Sequence, residues 1–504
     1  MEYRRLNRGA GILLPISSLP SPYGIGTLGQ AAYDFIDQLY EAGMKYWQVL
    51  PVGPTSFGDS PYQSFSAFAG NPYFIDLDEL VMEGLLEHEE LEGIDWEDEK
   101  DHVNYENLYQ FRYKILRKAF IRWENKNSRI TGKNTEKEAY TGWKIKNQEW
   151  LDQYSLYMAC KEYFDDSEWS SWPENIKKRN TEALAYYEDF LSGKIEFWKF
   201  VQFYFFKQWM KLRDYARKKS IQMIGDIPIY VAYDSADVWC NPKEFQLNEK
   251  LKPVDVSGCP PDAFSDYGQK WGNPLYDWQQ MEKENFVWWK KRMKAAAELY
   301  DITRIDHFIG VVRYYAIPAA GIPVDGEFRE GPGEKLTQAI NEAIEGGKII
   351  VEDLGVVVPG VRELVAKEGY PGMKILEFAF DGNRTNEYLP HMYEKNCVVY
   401  TGTHDNETLI GYFANLDEKN LEFLKQYTAK TEKESQNEAV IRMAYASVAD
   451  VVILQMQDIL EKDNSARMNL PSTIGKNWRW RLKPGEFTEM QIQKLRKLAD
   501  LYAR

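Results

Sequence analysis

Residues 348–355 read KIIVEDLG, an apolar run that stops on the carboxylate Glu352 where the chain turns away. Short apolar runs bounded by turn residues read as buried strands. Three more segments repeat the pattern: QMIGDIPIYV (222–231) carries Asp226, TRIDHF (303–308) carries Asp306, and CVVYTGTHDN (397–406) carries Asp405. An eight-stranded α/β barrel builds its active site in this way, from polar groups at the carboxyl ends of strands far apart in the chain. Four further strand candidates, GILLPIS (11–17), YWQVLPV (46–52), MKILEFAF (373–380) and VVILQMQDIL (451–460), bring the set to eight. Helical patterns such as QAAYDFIDQLYEAG (30–43) and EKLTQAINEAIEGG (334–347) lie between them, each closing on a glycine suited to a left-handed cap. The expected fold class is therefore α/β, a TIM (β/α)8 barrel.

Two spacings exceed a plain crossover: 76–221, charged, aromatic and mainly helical, and 232–300, which reads as loop-rich. No Gly/Ser/Pro linker marks a boundary, so the expectation is one catalytic barrel domain over 1–504, with both segments inserted on the catalytic face. A composition of 44% hydrophobic and 28% charged residues suits a packed globular protein. A net charge of -15, with no basic run longer than Lys177-Lys178-Arg179 or Arg217-Lys218-Lys219, gives a polyanion no footprint and argues against nucleic acid as a partner. No segment approaches membrane-spanning length, and GAGILLPI near the N-terminus is short, broken by Pro15 and lacks a cleavage signal. Cys160, Cys240, Cys259 and Cys397 are scattered singly, which favours reduced thiols and a cytoplasmic location over disulfides or a zinc cluster. No DxDxDG calcium loop is present, so neither metal nor cofactor is expected. Aromatic residues make up 14% of the chain; much of this is core, as in the helix candidate 195–219, and some is left to stack on a ligand.

The chemistry starts at Arg304-Ile305-Asp306. Residues two apart in a strand share a face, so Arg304 and Asp306 point one way, and Ile305 and His307 the other. An arginine beside a carboxylate favours its ionised form, the state a nucleophile needs; the competing reading is a structural ion pair. Glu352 follows three apolar residues, so desolvation raises its pKa and keeps a proton for general-acid work; the competing reading is a helix-capping glutamate. Thr403-His404-Asp405-Asn406 adds a histidine and a third carboxylate, and His307, His391 and His404 all fall in this half of the chain. Two carboxyl groups in opposite protonation states are what glycoside cleavage through an oxocarbenium-like transition state requires.

The chain resembles the amylomaltase, or disproportionating-enzyme, family of 4-alpha-glucanotransferases. The resemblance is carried by SSLPSPYGIGTLG (17–29), WQVLPVGPTSFGDSPYQSFSAFAGNPYFIDL (47–77), GDIPIYVAYDSADVW (225–239), PPDAFSDYGQKWGNPLYDW (260–278), RIDHF (304–308), VEDLG (351–355), YTGTHDNET (400–408) and ARMNLPSTIGKNWRWR (466–481). It implies Asp306 as nucleophile, Glu352 as acid/base and Asp405 as stabiliser of the distorted sugar, with Arg304, His404 and Asp226 around them. Tyr62, Ser60, Trp271, Asn273 and Asn477 are the expected further sugar contacts, because these loops set aromatic faces beside polar groups. The implied activity is retaining transfer of α-1,4-glucan segments between maltooligosaccharide or starch chains. Tyr233 and Ile309-Gly310-Val311 depart from the family pattern, which bears on fine substrate contacts rather than on the chemistry.

Gly24-Ile25-Gly26-Thr27-Leu28-Gly29 also matches the GxGxxG outline of a dinucleotide site. SSLPSPY intervenes between strand and glycines, and the second strand ends in Pro51-Val52-Gly53 without a ribose-binding acid. These glycines are therefore expected to shape a loop beside the sugar site. An α-glucan hydrolase shares every carboxylate with a transferase, and a non-catalytic glucan-binding protein would not need the intact carboxylate set.

Overall fold

The computed structural model describes residues 5–56, 58–96, 100–129, 135–261, 267–355 and 360–504. Phe57 and residues 262–266 of the stretches that carry the resemblance lie outside them. Among the described residues, eight parallel strands share one sheet: β1 (Gly9–Leu13), β2 (Tyr46–Gln48), β3 (Gln222–Ile227), β4 (Ile302–Ile305), β5 (Lys348–Val351), β6 (Gly372–Ile375), β7 (Cys397–Tyr400) and β8 (Val451–Gln455). Their spatial order is their chain order, and β8 returns to pair with β1, Gly9 opposite Val451. At the remaining seam the Val351 N–H donates to the Pro371 carbonyl at 3.1 Å, so the sheet curls into a TIM (β/α)8 barrel. All eight runs read from the sequence supply its strands. Every residue of β1, β7 and β8 is buried, which is why these runs are continuously apolar rather than alternating.

The helix Gln30–Glu41 buries Ala32, Phe35, Ile36 and Leu39 at helical spacing and ends before Gly43, whose φ of 73° is left-handed. After Glu334–Ile344 the left-handed glycine is Gly346.

Between β2 and β3 the chain forms the long helices Tyr105–Arg129, Thr135–Tyr163 and Ser192–Lys218. The last buries Phe197, Trp198, Phe200, Phe205 and Trp209, an aromatic load that covers most of its circumference. Two buried glutamines on it serve the backbone. Gln202 accepts from the Gly70 N–H and donates to its carbonyl, at 2.8 and 2.9 Å, and Gln208 does the same for Asp76, at 2.7 and 3.2 Å. A buried loop backbone needs such partners, and these hold the segment after β2 against the barrel.

The segment between β3 and β4 is more ordered than its sequence suggests. Strands Asp255–Cys259 and Gln269–Pro274 join Arg313–Pro318 and Glu327–Glu330 in an antiparallel four-stranded sheet, and a helix spans Val287–Leu299. DVSGC and QKWGNP lack apolar alternation, and half of their sheet lies beyond β4, so no local pattern marks them. Val256, Tyr315 and Ile317 form a small core of their own there. The four cysteines are not joined by disulfides. Among the described residues, no helix is long and apolar enough to cross a membrane.

Candidate active site

The parallel ladder fixes the carboxylates by carrying on past the strand ends. Asp226 of β3 lies opposite Arg304 of β4 in register. Beyond the last paired residues, the Asp306 N–H donates to the Ile227 carbonyl at 2.9 Å, and the Glu352 N–H to the Ile305 carbonyl at 3.0 Å. Arg304 Nη1 reaches both Asp226 oxygens, at 2.6 and 2.8 Å, and Nη2 reaches Asp306 Oδ1 at 2.9 Å. The shared strand face of Arg304 and Asp306 accounts for the second contact. Exposure separates the two acids: the Asp226 side chain is 0% exposed and that of Asp306 is 25% exposed, so the latter is the one open to a ligand.

Glu352 accepts the N–H of His307 at 2.6 Å and of Leu354 at 3.0 Å. Its deep placement, then the charge of Asp306, push the carboxyl up to about 8, against the opposing pull of Arg304 and the two N–H groups. It therefore carries a proton at neutral pH. His307 departs from its expected side of the strand. β4 ends at Ile305, and His307 turns left-handed (φ 50°), which places it on the same cavity as Arg304 and Asp306. A non-glycine residue held in that region is strained, and such strain collects at functional sites.

Asp405 faces the opposite environment. Asn469 Nδ2 donates to Oδ1 at 2.6 Å and His404 Nε2 lies 3.3 Å from Oδ2. Deep placement works to raise its pKa, but His404 and Asn469 outweigh it and pull the group down to about 2. Arg467 Nη2 donates to the Asp405 carbonyl at 2.6 Å and its Nε to the Asn469 carbonyl at 2.9 Å, tying the two chain segments together. Asn406 Oδ1 accepts both the N–H and the hydroxyl of Thr403, which closes the turn.

These groups open onto a cavity of about 630 Å³. Its lining includes Ser60, Tyr62, Trp271, Asn273, Arg304, Asp306, Glu352, His404, Asp405 and Asn477, so the structure gathers all the expected site residues on it except Asp226. The resemblance places that carboxylate among the sugar-binding residues, while its setting beside Gly225 and ahead of Pro228 reads as a supporting one, and the supporting role is what the structure gives it. It lies behind the wall, holding Arg304 and accepting the Tyr62 hydroxyl at 2.7 Å, because it sits within β3 and not beyond it. Tyr62 stacks on His404 with ring centroids 4.9 Å apart, and Trp271 stands edge-on to His307 at 4.7 Å. Asn273 donates to the Val231 carbonyl at 2.9 Å and accepts from Gln63 Nε2 at 3.1 Å. Asn477 knits its own loop through the Leu470 N–H and the Thr473 carbonyl.

Other expectations change. The GxGxxG glycines do not line the cavity and are packing positions: a Cβ on Gly26 would fall 1.8 Å from the Ile16 carbonyl oxygen, and one on Gly29 would fall 1.9 Å from an Asp76 oxygen. His391 lies away from the site, against Tyr427. Tyr233 also stays off the cavity, donating to the Leu251 carbonyl. Asn469 belongs to the site without having been singled out. A larger groove of about 950 Å³, lined by Trp143, Phe203, Phe206 and Met210 among others, holds none of the strand-end carboxylates. Among the described residues, no group of three His, Cys, Asp or Glu side chains is arranged to hold a metal ion.

Comparison with known proteins agrees with this geometry. The family model described as 4-alpha-glucanotransferase matches residues 14–488. A 4-alpha-glucanotransferase of Clostridium butyricum is 49% identical over 97% of this chain and 99% of its own length. One of Thermus thermophilus is 42% identical over 99% of both chains. The solved amylomaltase of Streptococcus agalactiae, in complex with acarbose, superimposes with a TM-score of 0.95 at 38% identity, covering 99% of each chain.

Proposed function

The chain belongs to the 4-alpha-glucanotransferase family, and we propose that it performs this chemistry by retaining transfer at Asp306, Glu352 and Asp405. Asp306 attacks the anomeric carbon of an α-1,4-linked glucosyl unit while Glu352 gives its proton to the leaving oxygen. A glucosyl-enzyme ester results. Glu352, now a base, takes the proton of the acceptor 4-hydroxyl as that oxygen displaces Asp306. Asp405, which stays ionised, stabilises positive charge on the distorted sugar. The observation that carries this reading is geometric: Glu352 accepts only backbone N–H groups beside the charge of Asp306, whereas Asp306 is paired with Arg304 and open to the cavity.

Transfer demands that sugar bind well and water be poorly placed. Trp271 and Asn273, from 232–300, and Tyr62 form walls that serve this purpose, and we read 76–221 and 232–300 as insertions of the barrel that support them. The acarbose held by the similar Streptococcus agalactiae enzyme supports a maltooligosaccharide occupant here. We place the reaction in the cytoplasm, with neither nucleic acid nor membrane as partner, consistent with the net charge of -15. Incubation with pure maltotriose tests the reading. Transfer gives free glucose together with a ladder of products longer than the substrate. Glucose and maltose with nothing longer would overturn it in favour of hydrolysis.

A further inference from the structure

His404 is 5% exposed, and each of its ring nitrogens faces a polar group. Nε2 lies 3.3 Å from a carboxylate oxygen of Asp405 and Nδ1 lies 3.3 Å from the Tyr62 hydroxyl. A neutral imidazole has one N–H and one lone pair, so the partners decide its state. An ionised carboxylate only accepts, so Nε2 carries a proton. The Tyr62 hydroxyl has one proton, and the shorter contact, 2.7 Å to Asp226 Oδ2, takes it. What Tyr62 then presents to Nδ1 is an oxygen lone pair. A bare Nδ1 would set lone pair against lone pair, whereas a protonated one donates.

We propose that His404 stands in the resting enzyme as the doubly protonated imidazolium, and that Tyr62 is the positioning residue that keeps it so, accepting from Nδ1 while giving its own proton to Asp226. This rests on the proposed reading of the site. The aromatic surroundings of the imidazole agree with a cation: Tyr62 stacks on it with ring centroids 4.9 Å apart. The charged groups that face it are Asp405 on its own loop, Asp226 on β3 and Arg304 on β4. Burial and Arg304 work against a positive charge, but the two carboxylates outweigh them and His404 is pushed up from its ordinary value. One alternative holds the same number of protons: Asp226 protonated, Tyr62 donating to Nδ1, and His404 neutral. Burial does push the Asp226 carboxyl up, yet Arg304 Nη1 lies within 2.8 Å of both its oxygens, which favours the anion.

The consequence lies in the charge of the site. Arg304 and His404 as cations against Asp226, Asp306 and Asp405 as anions leave one net negative charge with Glu352 neutral, which suits an oxocarbenium-like transition state. Loss of the His404 proton would double that negative charge and drive the Glu352 proton on more tightly, hindering its release to the leaving oxygen.

Nitrogen-15 spectra of the ligand-free full-length chain, labelled at histidine, read the state directly and need no turnover. The His404 signals, identified by their loss in His404→Gln, are expected to show both nitrogens protonated at pH 7. In Tyr62→Phe the acceptor for Nδ1 is gone, and His404 is expected to lose about ten-fold in proton affinity, one pH unit. A single protonated nitrogen in the wild-type chain at pH 7 overturns the proposal, as does an unchanged titration in Tyr62→Phe. Should Tyr62→Phe fail to fold, the wild-type spectrum alone decides. The readout is independent of glucan transfer, so failure of this inference and failure of the proposed activity are separate results.

Discussion

Glu352 beyond β5 and Asp405 beyond β7 stand at one barrel mouth, enclosed by protein on all sides but the cavity, and their surroundings drive them in opposite directions. Both lose solvation. Glu352 has the charge of Asp306 beside it and only backbone N–H groups to accept, and it rises to about 8. Asp405 has His404 and Asn469 at its oxygens and falls to about 2. Depth supplies the same sign of shift to each, so the neighbours decide which carboxyl is the acid and which the anion.

The largest expected effect comes at Asp306, the carboxylate whose charge helps to raise Glu352. Asp306→Asn removes the nucleophile and is expected to lower transfer by about 10⁴-fold or more, with the thermal transition still present; turnover near wild type in the maltotriose assay would remove Asp306 from that role. Glu352→Gln is expected to cost about 10²–10⁴-fold in kcat on maltotriose, and far less on a glucosyl fluoride, whose leaving group needs no proton. Equal losses on both substrates would mean that Glu352 is not the acid. In the wild-type enzyme, kcat/KM is expected to fall above about pH 8 as Glu352 loses its proton.

Stability sharpens the contrast, because the two groups carry opposite signs. Glu352 has a raised folded pKa, so the unfolded chain releases its proton first and stability is lost as pH rises from the ordinary glutamate range towards about 8. Glu352→Gln removes that penalty and is expected to stabilise the chain at pH 7 by about 1–2 kcal/mol after discounting for the side open to the cavity, with no gain near pH 4. Asp405 has a lowered folded pKa and contributes stability above the ordinary aspartate range, lost as pH falls towards about 2. Asp405→Asn is therefore expected to lower Tm at pH 7. Melting curves at the two pH values check both signs, and a shared sign would mean that neighbours do not divide these carboxyls.

What the sequence disclosed follows the same line between local and distant causes. KIIVE and RID are legible because the apolar run that desolvates Glu352 and the arginine beside Asp306 are neighbours along the chain. Strands such as β1, β7 and β8 are legible because burial on both faces leaves near-continuous apolar runs. The stabiliser role of Asp405 came only through family resemblance, since its partner Asn469 is 64 residues away and joins it only in the folded barrel. The antiparallel sheet from Asp255 to Glu330 was hidden for a like reason, as its strands pair across β4. His307 escapes strand alternation because the strand stops at Ile305. The glycines at 24–29 answer to the packing of Ile16 and Asp76, which no local motif records.

Asn469 is the sharpest small probe of the comparison, because it touches one carboxylate and not the other. Its amide donates to Asp405 Oδ1 at 2.6 Å, and Arg467 holds its carbonyl, so the side chain is set before any sugar arrives. Asn469→Ala deletes one charge-assisted hydrogen bond and leaves His404 as the remaining partner of Asp405. The Asp405 pKa should rise towards the ordinary aspartate range, and kcat should drop about ten-fold. Because Glu352 lies outside this contact, the fall of kcat/KM above about pH 8 should stay where it is. An alkaline limb that moves with Asn469 would show that the two carboxyls titrate as one unit, and the division of labour between β5 and β7 would then belong to the pair rather than to its members.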